Sequence, residues 1–361
     1  MEYTVEFPGL GWEMTIDRVA FTIGDFPIYW YGILIGVGLL TALLFALKKS
    51  DSFGVDSDKL LDVVFVAAIA GVIGARLYYV VFSPSFKLDS FMDILDIRDG
   101  GLGFYGAVIF ALGSAYFLCR WRRINFLATS DMTAIGFLIG QGIGRWGNFV
   151  NQEAFGTNTT LPWGMISAQT TSYLQLNAAE LAERGIVVDP NLPVHPTFLY
   201  ESLWCIVGAV LLMFYIKHRK FDGEILLMYI AWNGVGRAFI EGMRTDSLYI
   251  GPLRVSQLLA IVGALAAVIA IIAIRRKIKL ADDPNYLIPY ANTAEWQQEY
   301  AAMQDKKAMK KQRADGNAAQ PETNAPQGVT ENPASDAPGK TVYKSGEKGT
   351  DAGQNSSSGE K

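Results

Sequence analysis

Seven apolar stretches, each long enough to cross a hydrocarbon core, constrain this 361-residue chain more than any other feature. A bilayer is crossed by about 20 helical residues. The stretches fall at residues 28–47, 60–82, 101–119, 132–150, 196–216, 225–243 and 253–274. Lipid offers no partner to an open backbone N–H or C=O, so segments of this kind read as helices. The expected fold class is an all-α integral membrane protein with seven transmembrane helices. The fourth and sixth stretches are interrupted by Gln141, Arg145 and Asn148, and by Asn233, Arg237 and Glu241.

Basic residues between the stretches give an orientation, because Lys and Arg are retained on the cytoplasmic side during insertion. One set of connections carries thirteen, including Lys48, Lys49, Arg120, Arg122, Arg123, Lys217, Arg219, Lys220 and Arg275. The other, with the N-terminal stretch, carries six: Arg18, Lys87, Arg98, Arg184, Arg244 and Arg254. The N-terminus is therefore expected outside and the C-terminus in the cytoplasm. No basic region precedes the first apolar stretch, so a cleaved signal peptide is not expected. Residues 1–279 read as the membrane domain that carries the chemistry, and 280–301 as a membrane-proximal connection in which Trp296 and Tyr300 rest on the bilayer surface. Residues 302–361 are too polar to offset their ordering entropy and read as a disordered cytoplasmic tail. Two cysteines, Cys119 and Cys205, lie within apolar stretches as small buried side chains, and two histidines are too few for a histidine-rich metal centre. No metal, no cofactor and no nucleic-acid partner are expected; membrane lipids are.

An ionisable side chain in hydrocarbon is costly and usually marks a cavity or chemistry. The orientation gives these residues a common depth. Arg76, Tyr105, Arg145, Asn148, Asn151, Glu153, His195, Glu201, Arg237 and Glu241 fall in the outer half of the bilayer or at its rim, with Tyr31 and Arg244 beside them. Nothing comparable is expected in the inner half. The pattern predicts one outward-facing polar cavity. Arg237 and Glu241, four residues apart, can pair on one helix face.

The run Gly144-Arg145-Trp146-Gly147-Asn148-Phe149-Val150-Asn151-Gln152-Glu153-Ala154-Phe155-Gly156 resembles the signature of the prolipoprotein diacylglyceryl transferase family at every specified position. Trp30-Tyr31-Gly32, Gly74-Ala75-Arg76-Leu77, His195-Pro196-Thr197, Leu199-Tyr200-Glu201 and residues 236–242 with Arg244 follow the family order. Tyr105-Gly106-Ala107 stands where many members carry His-Gly-Gly, and Asn233 where some carry tyrosine, so a histidine base in the third segment is not available here.

The resemblance implies a bacterial plasma-membrane enzyme with its active site toward the outer leaflet. It implies phosphatidylglycerol as donor, the lipobox cysteine of a prolipoprotein signal peptide as acceptor, and glycerol-1-phosphate as leaving group. Guanidinium suits a departing phosphate through its forked donor geometry. Arg145 and Arg237 are the expected phosphate ligands, with Tyr105 as a phenol able to orient phosphate or relay a proton. Asn148, Asn151, Glu153, Gly156, Tyr31, Arg76 and Glu241 complete the expected substrate site. Glu153 and Glu241 are expected to fix the two arginines, and His195 or Glu201 to act as base. The alternative is a transporter or channel with an outward-facing anion site. No Gly-x-Ser-x-Gly nucleophile elbow supports a lipase.

Overall fold

Polar punctuation ends the helices where hydrophobic length alone would let them run on. The computed structural model describes residues 2–83, 101–245, 249–250 and 253–318. Helix α1 (Trp30–Phe53) stops at Gly54, whose φ of 73° is left-handed and whose bare Cα lies against the backbone of Ala291. Helix α2 (Ser57–Phe82) starts from the Asp56 carboxylate, which accepts the Asp58 N–H, and α3 (Phe104–Arg122) follows. Helix α4 (Phe126–Asn151) is capped by the Asn125 side chain, and α5 (Ala168–Glu183) by a Ser167–Thr170 capping box. Helices α6 (Thr197–Tyr215), α7 (Glu224–Glu241), α8 (Val255–Leu280) and α9 (Ala294–Ala318) complete the α-helices among the described residues.

Six of these, α1, α2, α3, α4, α6 and α8, are long and apolar enough to cross a membrane. The sixth expected stretch is the helix α7, but Asn233, Arg237 and Glu241 keep it below that apolarity. Helix α4 is the most buried of the six and α1 and α8 the least, as befits a central helix with lipid-facing neighbours. Small residues let α4 approach α1: a methyl on Gly38 would come 3.0 Å from the Gly140 carbonyl oxygen, and one on Gly147 would come 2.6 Å from the Tyr31 ring. On the other side α4 packs on α6, where Ser202 donates to the Gly142 carbonyl at 2.8 Å. Helices α6 and α7 meet through Trp204 and Trp232, stacked at 4.3 Å, each indole donating to the other residue's backbone carbonyl at 3.0 Å. Each indole also covers the other helix's glycine, Trp232 on Gly208 and Trp204 on Gly236.

Short strands accompany the helical body at the N-terminus. Strands β1 (Glu2–Phe7) and β2 (Trp12–Asp17) form a hairpin, joined on the β1 side by β5 (Ile166–Ser167). A second hairpin, β3 (Val19–Ile23) with β4 (Phe26–Tyr29), leads directly into α1, and β6 (Tyr249–Ile250) pairs with β7 (Leu253–Arg254) before α8. Val5 and Phe7 are buried in a core with Phe149, Phe155, Leu174 and Phe198, so the sheet and α5 cover the end of α4.

A correction concerns the far end of α4. Asp131 and Asn151 are separated by about 30 Å along the helix at 1.5 Å per residue. Around Asp131 lies a buried polar network that the sequence reading did not expect. Asp131 accepts the N–H groups of Gly223 and Leu226 at 2.9 and 2.8 Å, satisfying the start of α7. Buried Glu224 accepts the Lys220 N–H at 2.5 Å and pairs with Arg275 at 2.6 Å. Arg219 lies over the Phe53 ring and donates to the Ser52 carbonyl. Asp222 accepts from Asn125 and from the Tyr290 N–H, and burial pushes its carboxyl up despite these bonds and nearby Arg219. Every carboxylate in this network holds a helix end or a loop, which accounts for its burial without a transport path.

The segment after α8 packs back on this network rather than on lipid: Trp296 is buried and Tyr300 donates to Asp51. Residues Met1–Lys306 form one compact unit and Lys307–Lys361 a second. Residues 302–318, expected to be disordered, are helical, in keeping with their Ala, Met, Lys and Gln content. The rest of the expected tail, with Lys87 and Arg98, lies outside the described residues.

Candidate active site

Glu201, one turn into α6, is the centre toward which two helices and a turn send cations. Its carboxylate lies 2.5 Å from Arg145 of α4, 3.7 Å from Arg237 of α7 and 3.7 Å from Arg244 in the turn beyond α7. Arg237 also pairs with Glu241, one turn on, at 3.0 Å. Glu201 and Glu241 are buried, while the Arg145 and Arg237 side chains keep about a quarter to a third of their surface open (26% and 32%). Two guanidiniums thus remain accessible with their positions fixed from behind.

The end of α4 adds amides to this cluster. Arg145 donates to Asn148 Oδ1 at 3.3 Å, and Asn148 donates on to Glu153 at 2.9 Å. Asn151 donates to the same Glu153 oxygen at 3.4 Å. Glu153 therefore orients the asparagines, and Glu201 holds Arg145; the expectation that Glu153 fixes an arginine is corrected. The chain leaves α4 through two non-glycine residues in left-handed conformation, Gln152 (φ 54°) and Ala154 (φ 56°). Positive φ at such residues is uncommon and carries strain. It is over-determined here: Gln152 donates to Phe149 O, Thr197 Oγ1 donates to Ala154 O, and Gly156 N–H donates to His195 O at 3.0 Å. A methyl on Gly156 would come 2.8 Å from His195 Cβ. The turn thereby zips residues 156–157 between His195 and Met243.

His195 contacts the Tyr200 hydroxyl through Nδ1 at 3.2 Å, and Trp163 donates to that hydroxyl at 2.8 Å. Partial burial lowers the histidine pKa below its ordinary range. Tyr31 packs on Gly147 beside the cluster. Two expected residues keep to the α2–α3 pair in the contacts described: Arg76 donates to the Gly101 carbonyl at 3.0 Å and faces the Tyr79 ring, and exposed Tyr105 packs on Tyr78 and Phe104. Arg18 was missed as a site residue. It donates to the Asn151 carbonyl at 2.6 Å across 133 positions, a contact for which no local pattern exists. Below the charged cluster, an apolar cavity of about 480 Å³ opens between α6, α7 and α8, lined by Trp204, Leu211, Trp232, Val235 and Val268 among others.

The family model of prolipoprotein diacylglyceryl transferases matches residues 18–273, which contain every one of these contacts. The chain belongs to the prolipoprotein diacylglyceryl transferase family. A phosphatidylglycerol--prolipoprotein diacylglyceryl transferase of Clostridioides difficile (strain 630) is 38% identical over 264 residues, 73% of this chain and 98% of the relative. One of Bacillus cereus (strain Q1) is 39% identical over 274 residues, 76% of this chain and 97% of the relative. Within this transferase family framework the six apolar spans are those of an integral membrane protein. At the departure Asn233, the amide instead donates to Tyr229, one turn earlier, at 3.4 Å, and Gln141 donates to the same hydroxyl at 3.3 Å.

Proposed function

We propose that this chain transfers the diacylglyceryl group of phosphatidylglycerol to the lipobox cysteine thiol of prolipoproteins, releasing glycerol-1-phosphate at the outer leaflet of a bacterial plasma membrane. The carrying observation is the set of three guanidiniums on the single Glu201 carboxylate, inside the segment that matches the family. The balance of thirteen against six basic residues supports an outside N-terminus, and α7 then crosses as a seventh span with its polar face on an outward cavity.

In this mechanism the phosphate of the donor lies on Arg145 and Arg237, with Arg244 behind them. The substrate thiolate attacks the glyceryl C3, the new S–C bond forms as the C3–O bond breaks, and the electron pair leaves on the phosphate oxygen. Guanidiniums fixed in advance stabilise that developing charge without reorganising. Asn148 and Asn151 offer hydrogen bonds to phosphate or to the glycerol hydroxyls, held by Glu153. The apolar cavity below Trp204 suits an acyl tail descending from the clamp. Of the two base candidates, Glu201 is ill suited, because its carboxylate is already engaged by three guanidiniums. His195, which makes no ion pair among the described residues and sets Nδ1 against the Tyr200 hydroxyl at 3.2 Å, is the better acceptor for the thiol proton. Tyr105 and Arg76 border the lipid approach on the α2–α3 pair.

Vesicles containing phosphatidylglycerol and the purified protein, given lipobox peptides with Cys or Ser at the acceptor position, test this directly. Lipid on the Cys peptide alone is expected, and Arg145→Ala abolishes it without loss of insertion. Transfer at full rate by Arg145→Ala would remove the phosphate clamp, and full rate by His195→Ala the histidine base.

A further inference from the structure

The β3–β4 hairpin carries four apolar side chains on one face. Its register pairs Ile23 with Phe26 and Phe21 with Ile28. Cross-strand partners share a face, and so do residues two apart on a strand, so all four project together. Among the described residues nothing covers most of this face: Phe21, Ile23 and Phe26 are 53%, 66% and 67% exposed. The opposite face carries Thr22 and Pro27, and the charged Asp25 sits in the turn.

The position of the hairpin decides what covers it. Strand β4 ends at Tyr29 and α1, a membrane-crossing helix, begins at Trp30 with no intervening residue. At about 3.3 Å per residue a four-residue strand is roughly 13 Å long, so the tip stays within reach of the point where the chain enters lipid. Tyr29 and Trp30, both exposed, occupy that entry point and are the residue types that favour the bilayer interface. We propose that the apolar face of β3–β4 is a membrane-surface anchor, seated at the boundary between headgroups and acyl chains. The occupant is the bilayer, because the face is continuous with the lipid-exposed surface of α1 and carries no charge to pair with a polar partner. The anchor also steadies the residue that precedes it: Arg18 accepts the Trp30 N–H at 3.0 Å while donating to Asn151 at the end of α4.

Single cysteines at Ile23→Cys and Phe26→Cys, at Thr22→Cys on the opposite face, and at Val187→Cys, an exposed position in the α5–α6 connection, test the anchor. The native Cys119 and Cys205 are buried, and labelling of the parent protein controls for them. Each variant of the full chain carries an environment-sensitive fluorophore in phosphatidylethanolamine–phosphatidylglycerol vesicles. Quenching is compared for nitroxides near the glycerol end and near the methyl end of the acyl chain, and for aqueous iodide. Labels at 23 and 26 should be quenched several-fold more by the shallow nitroxide than by the deep one, and several-fold more than the label at 22. Iodide quenching at 23 as complete as at 187, or equal lipid quenching at 22 and 23, overturns the proposal. A label in an apolar setting that neither nitroxide reaches also overturns it, since a protein partner then covers the face.

Discussion

Replacing Glu201 by glutamine keeps the side-chain size and removes a carboxylate shared by three guanidiniums. At an effective dielectric near 20, a unit charge pair about 4 Å apart is worth about 4 kcal/mol before desolvation. The three contacts at 2.5, 3.7 and 3.7 Å cannot simply be added. Arg237 keeps Glu241, and solvent screens the open faces of Arg145 and Arg237. Loss of one partner from a buried pair typically costs about 3–5 kcal/mol; with that screening, a loss of about 3 kcal/mol is expected here. For a unit of this size that lowers Tm by roughly 5 °C. The same substitution frees guanidinium donors, so glycerol-1-phosphate should raise the Tm of Glu201→Gln more than that of the parent. With Arg145 no longer oriented, transfer should fall at least about 100-fold, the scale of losing one fixed transition-state donor. Thermal unfolding in detergent with and without glycerol-1-phosphate measures both effects. A parental Tm with no added response to the phosphate would refute the view that Glu201 organises the cations.

Gly236→Ala puts a methyl 2.3 Å from Trp204 Nε1 and should cost about 1–3 kcal/mol by overpacking, seen as a lower Tm and altered tryptophan emission. Asp131→Asn replaces one of the two oxygens that accept N–H groups at the start of α7 by an NH2 group and should lower stability by about 1–3 kcal/mol, leaving transfer per folded molecule unchanged. Because the pKa of His195 is depressed in the folded protein, the unfolded chain takes up its proton first as pH falls. The stability contribution from keeping His195 neutral is complete above its ordinary value of 6.5 and declines below it, so His195→Asn should flatten the fall in Tm on the acid side.

The membrane body was legible because helix length and apolarity are local properties, and so was the cluster at the end of α4, whose members lie within nine positions from Arg145 to Glu153. Glu201 was visible as a residue but not as the shared partner of three arginines, since that depends on how α4, α6 and α7 pack. The alternation of Val5 and Phe7 with Thr4 and Glu6 is a strand pattern, yet the acidic residues around it drew attention to charge instead. Asp131 escaped notice because its task, satisfying N–H groups of a helix 92 and 95 positions away, leaves no mark on its own neighbourhood. Tyr105 and Arg76 were placed by depth alone, and depth says nothing about which side of a bundle a residue faces.

The paired tryptophans of α6 and α7 act as a ruler. Each helix supplies both an indole and the glycine that receives the other's, so a slip of one helix by a single residue unmakes both contacts together. Glu201 lies three residues before Trp204, and Arg237 directly follows Gly236, so the spacing between carboxylate and guanidinium is set by shape, independently of their attraction. The two helices therefore keep that spacing whatever charge comes to lie beside the arginine.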